Sequence, residues 1–335
     1  MRDVILDLLS GKKIEFQPVF SGLIHVTVEG LKSEELLFHE IHHDAGKMMK
    51  AAASTFRLTG FPSAALPLDL CAPAEALGAE LKFYGDETIQ FPQPAKPLFG
   101  STKYLNPGYM GSADFVNKGR IPIICDALRM LKEDIGNNTV ISGVIPGPYT
   151  LLLYLIEPGG LFAEMKREPN AVLDALFQLS SFLSLVAQAY RSAGADFITI
   201  HDMGGSPSFI GPAKYEQFVL PPEKRLIGNL PGPRVLSVCG NTTSSLHLLN
   251  ETGAEAISID QTINITTARE ALKDTLLFGN IDPVQTLWQG DRAQVDEAVQ
   301  RAKDAGVDAI WPGCDLVPQM PAQNLVHMLE AGIQG

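Results

Sequence analysis

Along the chain, short unbroken apolar runs alternate with stretches whose hydrophobic residues recur every three or four positions, the spacing of an amphipathic helix. Eight runs stand out: FQPVF (16–20), AALPLD (64–69), TVISGVI (139–145), DFITIHD (196–202), RVLSVCG (234–240), AISIDQ (256–261), TLLFGN (275–280) and AIWPGC (309–314). Each is followed by a turn or cap and then a helical pattern. Strands that read as continuous apolar runs are buried on both faces, as in parallel sheets. Eight strand-helix units in series predict one α/β domain over residues 1–335, a (β/α)8 TIM barrel. A doubly wound open sheet is the alternative, but the first turn lacks the glycine-rich signature of that fold.

The connecting helices carry their own signals. Ser33 is expected to open a helix with Glu34 and Glu35 in its first turn and Leu37, Ile41, Met48 and Ala52 along one side. Asp291 caps DRAQVDEAVQRAKDAG, which stops at Gly306, and residues 170–193 form a long amphipathic helix ending near Gly194. ETGAEAISID and DAGVDAIWPG repeat the same helix-glycine-strand grammar. Residues 84–122, after the second strand, carry Pro92, Pro94, Pro97 and Pro107 and are too long for a simple connection. They read as a lid-like insertion over one end of the barrel, with a surface excursion as the alternative.

Composition narrows the class. An apolar fraction of 45% and a charged fraction of 19% are those of a globular protein. The net charge of −12, with no basic stripe, opposes nucleic acid as a partner. The N-terminal MRDVILDLLSGKK mixes charge into its apolar run, so neither a spanning helix nor a signal peptide is expected, and no membrane association. Cys71, Cys125, Cys239 and Cys314 lie far apart, which fits free thiols in a reducing cytoplasm.

Catalytic groups in such barrels come from the carboxyl ends of the strands. Those ends offer Ser21 with nearby His25, Asp69, Pro146 to Pro148, His201 with Asp202, Cys239, Asp260, Asn280 and Cys314. VLSVCGN (235–241) and IWPGCD (310–315) each deliver one thiol to that rim, and thiols with carboxylates and an imidazole suit a soft divalent metal, zinc first. Two inert buried cysteines are the plain alternative. Zinc with two thiolates and one further ligand keeps a position open, lowers the pKa of an entering thiol and leaves it nucleophilic, which favours alkyl transfer to sulfur. His201 reads equally as a core histidine satisfied by Asp202, and Glu75 equally as a partner of a helix dipole. His25, His247 and His327 read as ordinary helix or loop residues. The pattern His39-Glu40-Ile41-His42-His43 spells a zinc-peptidase motif, but on a helical wheel His39 and His43 face solvent on an outer helix.

LPLDLCAPAEALGAEL, GVIPGPYTLLLYLI, SVCGNTT, SIDQTI, LFGNIDPVQTL and GCDLVPQMPAQNL together resemble the uroporphyrinogen decarboxylase superfamily, within it the methylcobalamin:coenzyme M methyltransferase group, over nearly the whole chain. The resemblance implies zinc held by a His-x-Cys pair and a distant cysteine, activating a thiol that takes a methyl group from cobalamin on a small corrinoid carrier protein. Cys239 and Cys314 match the two cysteines. Ser237 stands where the histidine belongs, and His201 is the expected substitute. Asp202 and Asp260 are expected to orient ligands or move protons, with Glu75, Asn241 and Asn280 contacting the cofactor. The expected activity is methyl exchange between the corrinoid and a small acceptor or donor. A decarboxylase is the main rival, though FQPVFSGLIHV offers no arginine for a polycarboxylate substrate. A non-catalytic corrinoid-binding relative is the third reading.

Overall fold

In the computed structural model, which describes residues 1–85, 89–110 and 113–333, seven of the eight runs are strands of one parallel sheet. They are β1 (Ser63–Leu66), β2 (Val140–Pro146), β3 (Phe197–Asp202), β4 (Arg234–Val238), β5 (Ala256–Ile259), β6 (Leu276–Ile281) and β7 (Ala309–Pro312). Each pairs with the next in chain order, as successive strand-helix units require. The eighth run departs from the expectation. FQPVF forms a single bridge, Val19 with Ile310, instead of a ladder. Ile310 N donates to Pro18 O at 3.0 Å, Phe20 N to Ile310 O at 3.3 Å, and Ser21 N to Ser63 Oγ at 2.9 Å. The segment thus touches both β7 and β1, but Pro18 has no N–H with which to extend the pairing. The curled sheet and this bridge are consistent with a TIM-type barrel.

Alternation within the strands, hidden in the sequence because both faces are apolar, separates two cores. Ile141, Ile198, Ile200, Leu236 and Ile257 point outward and join the helices in the larger one. Val140, Phe197, Val235 and Ala256 point inward and meet Phe20, Phe278 and Trp311. The N-terminal helix Arg2–Leu9 closes this end of the sheet with Ile5, Leu8 and Leu9. Two residues further along each strand the inward positions become Ser142, Thr199, Ser237 and Ser258, with Ser142 Oγ 2.8 Å from Thr199 Oγ1. Two residues further again they become Val144, His201, Cys239 and Asp260. The interior therefore runs from apolar to hydroxyl to ligand chemistry along the strand direction.

The helix expected to open at Ser33 is in fact divided. A short helix, Val28–Ser33, is capped by Thr27 and ends at Ser33, whose hydroxyl donates back to Gly30 O at 2.7 Å. Glu35, at φ 56°, turns the chain. A 3₁₀ segment, Phe38–His42, follows, and then the helix Ala45–Thr59, capped by Asp44. The capping box at Asp291 and Gln294 and the long helix Pro169–Ser192 are present. That helix is long and apolar enough to cross a membrane, yet it packs on the helix Leu220–Gly228 and against β2, burying Val172, Leu176, Leu179 and Leu183. The expected insertion, 84–122, includes residues 86–88 and 111–112, which lie outside the described residues. Its remainder holds short turns of helix, such as Thr102–Tyr104, and Gln93–Pro94, which pairs antiparallel with Leu81–Lys82.

Candidate metal centre

Three donors meet at the carboxyl ends of β3, β4 and β7. His201, the penultimate residue of β3, lies opposite Ser237 in the β3–β4 register, and Cys239 is two residues beyond Ser237 on the same inward side. Cys314 follows β7 by two residues. The sulfurs of Cys239 and Cys314 are 2.9 Å apart, and His201 Nε2 is 3.9 Å from Cys239 Sγ. One ligand atom from each of the three lies within 4.8 Å of the others. One nitrogen and two sulfurs are donors of the kind zinc takes. His201 occupies the place adjacent to Ser237 on the neighbouring strand.

The local electrostatics hold charge in place. Two thiols in contact share a proton that either sulfur can donate, so ionisation of one opposes ionisation of the other, and His201 beside Cys314 favours the thiolate there. Burial of His201 disfavours its charged form, but Asp315 and Cys314 outweigh burial and raise its pKa to about 10. Asp315 Oδ2 sits 3.4 Å from His201 Nε2, while its Oδ1 accepts from Ile24 N at 2.9 Å. Asp315 thereby ties the first segment of the chain to the rim. It was legible in the sequence as the residue following Cys314, and composition gave no reason to single it out.

The remaining expected residues fall in different surroundings. Asp260 Oδ2 accepts from Gly240 N at 2.7 Å and its Oδ1 from Thr262 N and Oγ1, so it fixes the turn after Cys239. Gly240 needs to be glycine there: its φ is 83° and a Cβ would meet Ser208 at 2.9 Å. Asn280 donates to the carbonyls of Asp260 and Ile263, at 3.0 and 2.8 Å. Asn241 is exposed, its Oδ1 accepting from Thr243 N at 3.2 Å. Asp202 turns away from the thiols. Its Oδ1 accepts from Gly205 N at 2.8 Å and from the Thr150 hydroxyl, and burial together with Asp202 pushes the Glu223 carboxyl well above its ordinary range.

Glu75 belongs to a separate buried network, which composition did not reveal. Arg120, 1% exposed, grips Asp69 with two nitrogens at 2.6 and 3.0 Å and Glu75 with Nε at 2.7 Å. His42 Nδ1 is 3.3 Å from Asp69. Burial alone would raise the Asp69 pKa, but Arg120 and His42 outweigh it and hold it well below the carboxylate range. Within the apparent peptidase motif it is therefore His42 that is buried and partnered, while His43 lies exposed against Phe83. The regular helical wheel expected there does not apply to a 3₁₀ segment. His25 is likewise no ordinary loop residue: it is buried, with its ring nitrogens 2.6 Å from Leu23 O and 2.8 Å from Ser63 O.

A cavity of about 640 Å³ has Asp69, Cys71, Phe91, Tyr154, Met203 and Asp315 in its wall, Asp315 being the residue that follows Cys314. Phe91 and the Pro92–Pro97 stretch come from the region expected to act as a lid.

Comparison with known proteins adds an independent result. The family model described as uroporphyrinogen decarboxylase (URO-D) matches residues 1–334. A methylcobamide:CoM methyltransferase, MtbA of Methanosarcina acetivorans, is 33% identical over 91% of this chain and 89% of its own. MtaA of Methanosarcina barkeri, also named a methylcobamide:CoM methyltransferase, is 28% identical over 98% of this chain and 96% of its own. A solved structure titled as a methyltransferase from Methanosarcina mazei superposes with a TM-score of 0.93 at 24% identity, covering 99% of this chain and 97% of that one, which establishes the shared fold.

Proposed function

Because the chain belongs to the uroporphyrinogen decarboxylase family, in its methylcobamide:CoM methyltransferase-like group, we propose that it is a corrinoid-dependent methyltransferase. It moves a methyl group between cobalamin on a small carrier protein and a small thiol or related nucleophile. The observation that carries the reading is the convergence of Cys239, Cys314 and His201 at the rim. These three would hold zinc, which when bound there supplies the Lewis acidity that keeps a substrate thiol deprotonated near neutral pH.

The chain's own residues supply orientation and exclusion of water. Asp260 fixes the backbone that carries Cys239. The apolar wall around Phe91 and Tyr154 keeps water from a nucleophile whose reactivity depends on staying unsolvated. Residues 84–122 would serve as the lid, and the carrier would dock over the same open end, in the cytoplasm. Decarboxylation of a polycarboxylate is disfavoured because Arg120 already spends its donors on Asp69 and Glu75.

The test combines metal analysis with spectroscopy. Purified protein should hold near-stoichiometric zinc, and a Cys239→Ser/Cys314→Ser variant should lose it. Methylcobalamin mixed with enzyme and a competent thiol should lose its methyl-cobalt spectrum and show reduced cobalt. A metal-free protein unchanged by the double substitution would instead support a non-catalytic corrinoid-binding role.

A further inference from the structure

The two sulfurs at the rim are closer together than shared coordination requires. Cys239 Sγ and Cys314 Sγ lie 2.9 Å apart. Sulfurs bound at about 2.3 Å to one tetrahedral ion lie roughly 3.8 Å from each other, whereas a disulfide bond is about 2.05 Å long. The observed distance falls between the two, so a movement of about 1 Å takes the pair to either state. Both thiols are half-buried, within reach of a small oxidant, while Cys71 and Cys125 are buried. Cys71 is also engaged, its thiol donating to Pro92 O at 3.2 Å. Among the described residues Cys239 and Cys314 are the only two cysteines in contact.

We propose that Cys239 and Cys314 form a reversible disulfide, and that this bond and a metal ion compete for the same two sulfurs. The inference rests on the metal-binding reading above and adds a control to it: oxidation removes the donors and reduction restores them. The oxidant is a peroxide. One sulfur attacks a peroxide oxygen, the O–O bond breaks, and a sulfenic acid forms with loss of water. The second sulfur then attacks the sulfenic sulfur, the S–O bond breaks, and another water leaves. Two thiols and one hydrogen peroxide thus give one disulfide and two waters, the sulfurs oxidised and the peroxide oxygens reduced. A thiol as near as Cys314 is to Cys239 captures the sulfenic acid before it oxidises further. A dithiol reverses the bond by thiol–disulfide exchange, which suits a transient disulfide in a reducing compartment. A metal that holds the sulfurs at coordination distance keeps them from bonding to each other, so a loaded site is protected.

Peptide mapping tests this without an activity assay. Metal-free protein is treated with a small molar excess of hydrogen peroxide, its remaining thiols are alkylated, and it is digested without reductant for mass spectrometry. Most molecules should carry a Cys239–Cys314 cross-link, lighter by two hydrogens than its separate peptides, which dithiothreitol abolishes. Protein preloaded with zinc should form the link about ten-fold more slowly and release one ion to a chromophoric chelator for each link formed. In Cys314→Ser no link should form, and dimedone should trap a sulfenic acid on Cys239. Sulfinic acid on either rim cysteine without a link, pairing with Cys71 or Cys125 instead, or equal rates with and without bound zinc would overturn the inference. Protein that binds no zinc ends the metal reading and the competition with it. The disulfide is then judged by the link alone, whose presence supports it and whose absence overturns it.

Discussion

The two ends of the same strands follow opposite rules. At the amino ends Phe20, Phe278 and Trp311 pack with ring centroids 5.0 to 5.5 Å apart, under a lid of Ile5, Leu8 and Leu9. At the carboxyl ends β3, β4 and β7 present His201, Cys239 and Cys314, and the polar groups there are clustered by chemistry rather than by size. One end is filled by residues whose burial stabilises the sheet; the other assembles thiols, an imidazole and carboxylates whose proximity costs stability unless a metal or substrate joins them. The comparison teaches that the strands need only a few positions each to serve both purposes, since inward residues repeat every second place.

The sharpest break in that comparison should come from the carboxyl end. Cys314→Ser is expected to lower metal affinity by more than about 100-fold, because even groups that only orient metal ligands are worth 10- to 100-fold. Its unfolding transition in urea, followed with metal removed from both proteins, should stay close to wild type. Trp311→Ala, three residues before Cys314 but with its side chain in the apolar cluster, should do the reverse. It should cost about 3–5 kcal/mol of stability in urea titrations, while the folded fraction retains its metal content and its rate per site.

A smaller effect sharpens the contrast between charge that is paired and charge that is poised. Asp69→Asn removes the carboxylate that Arg120 grips and should cost roughly 2 kcal/mol at neutral pH. Because the folded-state pKa of Asp69 lies below its unfolded value, the wild type gains this stability above about pH 4, the unfolded value, and loses it as pH falls through the depressed folded one. The denaturation curves of the two proteins should therefore converge in acid; a gap that stays constant from pH 7 to pH 3 would exclude this pairing as its source. The smallest change is expected at His43→Ala, within about 0.5 kcal/mol of wild type and with unaltered zinc content. A loss of metal there would return attention to the apparent peptidase motif.

Legibility followed chemistry type. The apolar runs disclosed seven strands because parallel strands buried on both faces leave an unmistakable density of β-branched residues. The first run misled in detail, since Pro18 limits it to a bridge. The division of residues 28–59 into two helices and a 3₁₀ turn escaped the helical wheel, because a single residue in the left-handed region, Glu35, breaks the periodicity without changing the hydrophobic count. Cys239 and Cys314 were legible as strand-end thiols. Arg120 and His42 were not, because their significance lies in reaching Asp69 across 51 and 27 positions of chain.

By itself, the sequence determined which residue types would arrive at each strand end, because hydrophobic runs set where strands lie and the pleat sets which side chains face in. Only the tertiary structure decided which of those ends become neighbours. Curling the sheet brings β7 round so that Cys314 lies 2.9 Å from Cys239 and Asp315 reaches both His201 and Ile24. Local spacing carries information over a few residues, whereas contact across a curled sheet depends on how every intervening unit packs.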